Sequence, residues 1–449
     1  MSNQGYVGAA GDLTHAFTVL PHIERAVDTF AQRASLFGGL GMGYENSEQQ
    51  MAVKEIGGKV YDIGNSAAIW KKEIDVGDEY RFTLQADFEG LPTHGGEPVK
   101  EGEYPLFYHS DVRLNVFDSP AYPFWAEMDI QRFANMIANM EGNYQKNIAQ
   151  YMGKWNDFSG FQVCFCGADR GSLLTTDGGL GMQLLNAAAA GDIISCKNTY
   201  VQNDGMVTWN ADRATYEAAV ATALDTLTDT TLDYFSLDAH ETILNQIISE
   251  LNWKMVEFMG KQLRAIAITD PWLIRRLMRR NTSNSWFTLM RDADIRGVEK
   301  NHAINRDQAV IIDKILYIPA DWIRAWRAYT SGALPYYGAG ITTDPQVKIK
   351  TANTDSKLCP IVYMGPGALL HAFSRKTYGM GTKSKKGGRI HFHSDTGKFD
   401  KGGAWCARSK FGFTRNEMET KIGGTTEYLN NKMLIAWFYD AGPGIAPAA

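Results

Sequence analysis

Near the C-terminal end the run HFHSD places His391, His393 and Asp395 within five residues, the best metal-ligand pattern in the chain. Two histidines two positions apart on a strand share one face, as some zinc sites require. No third ligand follows at a recognisable spacing. A strand with Phe392 inward and two polar residues outward accounts for the same letters and is the preferred reading. Cys164-x-Cys166, on an apolar strand-like run, has no second pair at zinc spacing, so it reads as buried thiols. GGLGMG at 38–43 has neither the preceding strand nor the following helix of a phosphate-cradling loop and reads as a hinge. GMGTKS at 379–384 lacks the first glycine of a phosphate loop, and Thr382 separates Gly381 from Lys383. There is no G-x-S-x-G and no H-E-x-x-H. Arg275, Arg276, Arg279 and Arg280 form one basic cluster, and Lys383, Lys385, Lys386 and Arg389 another. Such runs are usually solvated faces, and pairing with acidic patches of a neighbouring subunit ranks ahead of nucleic acid. The pattern assigns no catalytic, cofactor-binding or metal residue; it implies no cofactor and no enzyme.

Composition agrees. The 449 residues are 44% hydrophobic and 21% charged, ordinary for a folded chain. Forty-five basic against 50 acidic residues give a net charge of −5, which argues against a protein whose main task is gripping phosphates. No apolar run approaches the roughly 18–20 residues of a membrane span. The start, MSNQGYVGAAGDLTHAF, has neither the basic nor the apolar region of a signal peptide. Five cysteines, an odd and sparse set, are expected to stay as free thiols in a reducing compartment.

What remains is shape. The longest periodic stretch is 123–155, with Phe133, Met136, Ile137, Met140, Tyr144, Ile148, Tyr151, Met152 and Trp155 spaced mostly by three or four. That is one face of a helix, with Pro123 suited to its first turn and Gly153 to its stop. About thirty residues make a rod of about 45 Å. Before it, residues 79–87 and 111–117 alternate apolar and polar positions and predict two strands of a long hairpin, with a tip at 88–105 rich in Gly, Pro and charge. Two strands alone are marginal in water, so the hairpin is expected to be held mainly by a neighbouring subunit.

Residues 211–227 and 237–260 read as helices, the latter capped by Ser236. Strands are expected at 264–269, 310–318 (one strand or a pair), 361–364, 389–393, 404–413 and 433–439. Short helices are expected after Asp270-Pro271, at 285–293 and at 368–373. The class is α+β.

The order of parts resembles a major capsid protein of tailed bacteriophages, with the Hong Kong 97-type shell fold. The segments AIAITDPWLIRRLMRRNTSNSWFTLMRDADIRG (265–297), VYMGPGALLHAF (362–373) and GAWCARSKFGFTRN (403–416) are similar to one branch of phage capsid-like proteins. The resemblance implies an N-terminal arm at 1–56, an extended hairpin loop at 57–120, and the spine helix and start of a peripheral domain at 121–172. It further implies an insertion at 173–233, a linking helix at 234–261, an axial domain at 262–375, and return strands of the peripheral domain with a C-terminal segment at 376–449. The implied partners are copies of the chain itself in hexamers and pentamers, then scaffolding, portal and decoration proteins. Packaged DNA lies nearby without sequence-specific binding, and no membrane is involved. The implied location is the virion, after assembly in the host cytoplasm. A non-viral nanocompartment shell of the same fold and a soluble α+β enzyme are the alternatives. A measurement of particle size separates the two shells from the enzyme, and co-purified cargo separates one shell from the other.

Overall fold

A computed structural model describes residues 36–37, 53–56, 59–62, 67–74, 79–85, 109–115, 117–118, 122–125, 150, 153, 157, 160–161, 163–164, 199–201, 205–207, 222–227, 233–251, 253–258, 261–274, 309–320, 323, 357–374, 390–394, 404–415, 418–422, 425–429 and 432–440. In chain order, β1 (Val53–Ile56) and β2 (Lys59–Asp62) pair as a hairpin, and β3 (Ile69–Ile74) follows. β4 (Glu79–Gln85) and β5 (His109–Asn115) pair antiparallel along their whole length. Then come β6 (Phe117–Asp118), β7 (Tyr122–Trp125), β8 (Thr199–Val201) and β9 (Gly205–Val207). Helix α1 (Leu237–Asn245) leads to β10 (Val256–Phe258), β11 (Lys261–Leu263) and β12 (Ala265–Thr269). β13 (Val310–Ile312), β14 (Ile315–Pro319), β15 (Leu358–Met364) and β16 (Leu369–Ser374) come next. The last strands are β17 (Ile390–Ser394), β18 (Ala404–Arg415), β19 (Met418–Ile422), β20 (Thr425–Leu429) and β21 (Met433–Tyr439).

Two sheets organise these strands. The first has seven strands in the order β13-β14-β12-β15-β21-β8-β9. Its β12–β14 and β21–β8 pairs are parallel and the others antiparallel. Every residue of β12, β13, β14, β15 and β21 is buried. Unbroken apolar runs of this kind suit strands covered on both faces. One face carries Ala265, Ala267, Tyr317, Cys359, Ile361, Tyr363, Leu434, Ala436 and Phe438. They pack with Phe235, with Ala239, Ile243 and Ile247 of the α1 segment, and with Trp253. The second sheet runs β17-β18-β16-β3, with β6 and β7 also paired to β18. Its longest strand, β18, has 12 residues and is paired on both sides: β17 and β7 flank it across residues 405–407, and β16 and β6 across residues 410–411.

The two sheets meet where β15 turns into β16. Gly367 has φ +66°, a left-handed conformation that glycine adopts without a Cβ penalty. A Cβ there would lie 2.5 Å from the Trp70 ring. The Gly367 N–H donates to the Ala67 carbonyl at 2.6 Å, which ties the turn to the entry of β3. Gly365 donates to the Lys432 carbonyl at 2.8 Å, ahead of β21.

Most strands fall where periodicity puts them, and several expectations need correction. Residues 368–373 were expected as a helix, but β16 is a strand with β3 and β18 hydrogen-bonded on its two sides. A six-residue run with five apolar residues fits either period, and the two waiting edges decide. The helix expected over 237–260 ends at Asn245 and passes into a π-helical turn, Gln246–Glu250. Residues 256–258 then alternate buried, exposed and buried as β10. Pro123 is not in a helical first turn: it lies in β7, opposite Cys406. Among the described residues β7 pairs only with β18, and an edge strand tolerates proline's missing N–H. Gly153, expected to stop the long helix, is itself helical, as are Gln150, Asp157, Gly160, Phe161, Val163 and Cys164. The strand-like reading of Cys164 is therefore replaced by helix. Residues 126–149, the bulk of the expected spine, lie outside the described residues, as do the expected helix at 285–293 and the hairpin tip.

β8 and β9 join the edge of the seven-stranded sheet, although they come from the stretch read as an insertion. β21, from the last stretch of the chain, lies inside that same sheet beside β15.

Candidate functional site

The expected metal pattern is only partly visible. His391 and His393 lie on β17, in register with Arg408 and Cys406 of β18. Asp395, both basic clusters and both glycine-rich motifs are outside the described residues. Among the described residues no group of three or more His, Cys, Asp or Glu could hold a metal. Cys164 and Cys359 are both buried. No helix among the described residues is long and apolar enough to cross a membrane.

Polar chemistry is instead buried under α1. Ser236 caps this helix by accepting from the Ala239 N–H at 3.2 Å. That cap sets the first turn, and the first turn carries His240, which is fully buried. Its Nδ1 lies 2.6 Å from the Tyr317 hydroxyl, and its Nε2 lies 3.3 Å from Asp313 Oδ2. The Tyr317 hydroxyl is 3.2 Å from that of Tyr363. Asp313 sits in the two-residue turn between β13 and β14. Both turn residues have positive φ, Asp313 at 46° and Lys314 at 65°, as a tight hairpin of this twist requires. Tyr317 comes from β14 and Tyr363 from β15, so three elements converge on one line of hydrogen bonds.

Burial dominates the electrostatics of this line. It lowers the His240 pKa below the usual 6.5, against the Asp313 and Glu241 carboxylates, which pull it upward. Burial also raises the Tyr317 and Tyr363 hydroxyls well above the ordinary tyrosine value, so both are neutral donors. The side chain of Asp313 is 49% exposed and forms the outer end of the line. The other three groups are buried, so the arrangement links elements within the core. No letter pattern pointed to it: His240 stands alone in sequence, 73 residues from Asp313 and 77 from Tyr317.

A second buried anchor ties residues 36–37 to the body. The N–H groups of Leu36 and Phe37 donate to the two Asp157 carboxylate oxygens at 2.8 and 3.0 Å. The Phe37 ring meets Phe161 edge-on at 4.9 Å and packs toward Phe413 at 6.2 Å. A Cβ at Gly160 would lie 2.6 Å from the Phe37 ring, so the glycine makes room for it.

No protein-family model matches the sequence, and no curated protein matches it. Solved structures do. The capsid of Ralstonia phage GP4 is similar over 85% of this chain and 90% of that one, with a TM-score of 0.51 and 13% sequence identity. The two chains share a fold. The Cyanophage Pam1 capsid is similar over 84% of this chain and 90% of that one, with a TM-score of 0.47 and 12% identity. The head structure of Helicobacter pylori bacteriophage KHP40 covers 88% and 97% at a TM-score of 0.42 and 11% identity. The α+β class expected from the sequence is therefore that of a phage capsid fold. At 13% identity the likeness to GP4 is one of fold.

Proposed function

We propose that this chain is a structural major capsid protein, the self-assembling shell subunit of a tailed bacteriophage. The observation that carries the reading is the fold shared with the Ralstonia phage GP4 capsid along most of both chains. The sequence supports it independently through an arm, a long hairpin and a long amphipathic stretch, parts that are readily explained by neighbours. In this reading residues 1–56 are an arm, 57–120 an extended loop, 121–172 the spine and start of the peripheral domain, and 262–375 the axial domain. Residues 173–233 are an insertion that contributes the last two strands at one end of the seven-stranded sheet, and 376–449 are return strands of the peripheral domain with a C-terminal segment. The subunit works by shape and contact rather than by catalysis. Its partners are copies of itself in hexamers and pentamers, with scaffolding, portal and decoration proteins. DNA fills the interior without being gripped, in keeping with the net charge of −5. The shell is built in the host cytoplasm and ends in the virion.

Purification of the full chain, followed by sedimentation and negative-stain imaging, tests this. Closed or tubular particles of megadalton size are expected. A monodisperse monomer over a wide range of concentration and salt would overturn the shell reading.

A further inference from the structure

The line from Tyr363 to Asp313 admits one proton arrangement while His240 is neutral. An ionised carboxylate only accepts, so the ring hydrogen of His240 sits on Nε2 and is donated to Asp313. Nδ1 is then an acceptor and takes the Tyr317 hydroxyl hydrogen across 2.6 Å. The Tyr317 oxygen in turn accepts from Tyr363 at 3.2 Å. The two tyrosine hydrogens point from the sheet toward α1, and the His240 ring hydrogen points on to the β13–β14 turn.

We infer that this line is a protonation-sensitive latch, which holds α1 on the seven-stranded sheet while His240 is neutral and loosens it when His240 takes up a second proton. The proton comes from solvent and binds Nδ1; no other bond is made or broken. Nδ1–H and the Tyr317 O–H then face each other at a distance that allows only one hydrogen between them. Relief requires Tyr317 to turn its hydrogen toward Tyr363, and Tyr363 to turn its own away, into a core where each side chain is buried. The cation formed is wholly buried. Its anionic partner Asp313 is half exposed, where water weakens the pair.

The charged and titratable groups around His240 come from each neighbouring element. α1 supplies Glu241 beside it and Asp238 in the first turn. The β13–β14 turn supplies Asp313 and Lys314, β14 supplies Tyr317, and β15 supplies Tyr363, with Tyr200 of β8 beyond it. The carboxylates favour the cation, and burial outweighs them. A folded-state value below 6.5 means that the unfolded chain binds the proton more readily. The contribution to stability is then fully present above about pH 6.5 and is lost as pH falls below it. α1 is suited to be the part that moves. Its far end passes into a π-helical turn in which the buried Gln246 Oε1 meets no hydrogen-bond donor among the described residues.

Thermal melting of the full chain from about pH 8 to about pH 5, with His240→Gln and Asp313→Asn beside it, tests the latch. Glutamine keeps an acceptor and a donor but does not titrate. It is expected to remove roughly half or more of the acid-induced fall in Tm, the rest belonging to other groups. An equal fall in both proteins overturns the latch. Asp313→Asn removes the larger of the two carboxylate pulls, so the folded chain binds the proton less readily still and the acid-induced fall in Tm should deepen; an unchanged or smaller fall also overturns the latch. Hydrogen exchange keeps the test alive if the glutamine variant fails to fold. In wild type, amides of 237–245 should lose protection in acid before those of β12, β15 and β21, whereas simultaneous loss contradicts a local latch. None of these readouts needs a shell, so failure of the capsid reading leaves the result standing.

Discussion

The seven-stranded sheet and the β4–β5 hairpin are both made of strands, yet their sequences follow opposite rules. β15 reads LCPIVYM and β21 reads MLIAWFY, and each of these residues is buried. β4 reads EYRFTLQ, with Tyr80, Phe82 and Leu84 separated by polar residues. The first kind of strand is covered on both faces by its own chain. The second has one apolar face that something must cover. β5 lies beside β16, β18 and β19, so the base of the hairpin rests on its own subunit. The difference teaches where this chain covers its own apolar strands on both faces and where the pattern leaves one apolar face to be covered.

Trp437→Ala strikes the self-sufficient part. Trp437 is fully buried in the middle of β21, and removing its ring should cost about 3–5 kcal/mol. A large drop in urea midpoint and in Tm is expected. A loss below about 1 kcal/mol would show that this sheet is not the main core.

Gly367→Ala strikes the join between the two sheets. It combines positive φ with a Cβ 2.5 Å from Trp70, at a cost of about 1–3 kcal/mol. Adding Trp70→Leu should recover the part due to the clash and leave the part due to backbone conformation. Full recovery in a melting experiment would mean that the left-handed turn carries no strain of its own.

The smallest effect on stability is expected at the hairpin tip. Replacing residues 90–103 with a short Gly-Ser linker should change Tm by no more than about 0.5 kcal/mol equivalent, as surface changes do. The yield of particles should nevertheless fall steeply. Normal particles would remove the tip from assembly, and loss of folding would make the hairpin part of the core.

Much of the fold was legible because local rules settle it. The limits of β21 match the expected strand at both ends. Ser236 caps α1 as its position before an apolar run suggests. Asp270 Oδ1 accepts from the Trp272 N–H at 2.8 Å, with Pro271 in the first helical position after it. The pair of strands at 310–319 turns on Asp-Lys between two apolar runs. The buried centre was not legible. His240 is one histidine on a helix until the fold brings Tyr317 and Tyr363 beneath it, and nothing in its neighbours in sequence announces them.

The sequence by itself determined the α+β class, the fully apolar strands, the alternating hairpin and the caps, because each depends on residues within a few positions of one another. Tertiary structure alone decided that 368–373 is extended rather than helical, and that β21 inserts between β15 and β8. It alone decided that Asp157 holds Leu36 and Phe37 from more than a hundred residues away. The physical reason is common to all three. Hydrogen-bonding edges and burial sites are offered by segments remote in sequence, and an ambiguous or lone polar residue takes the conformation that satisfies them.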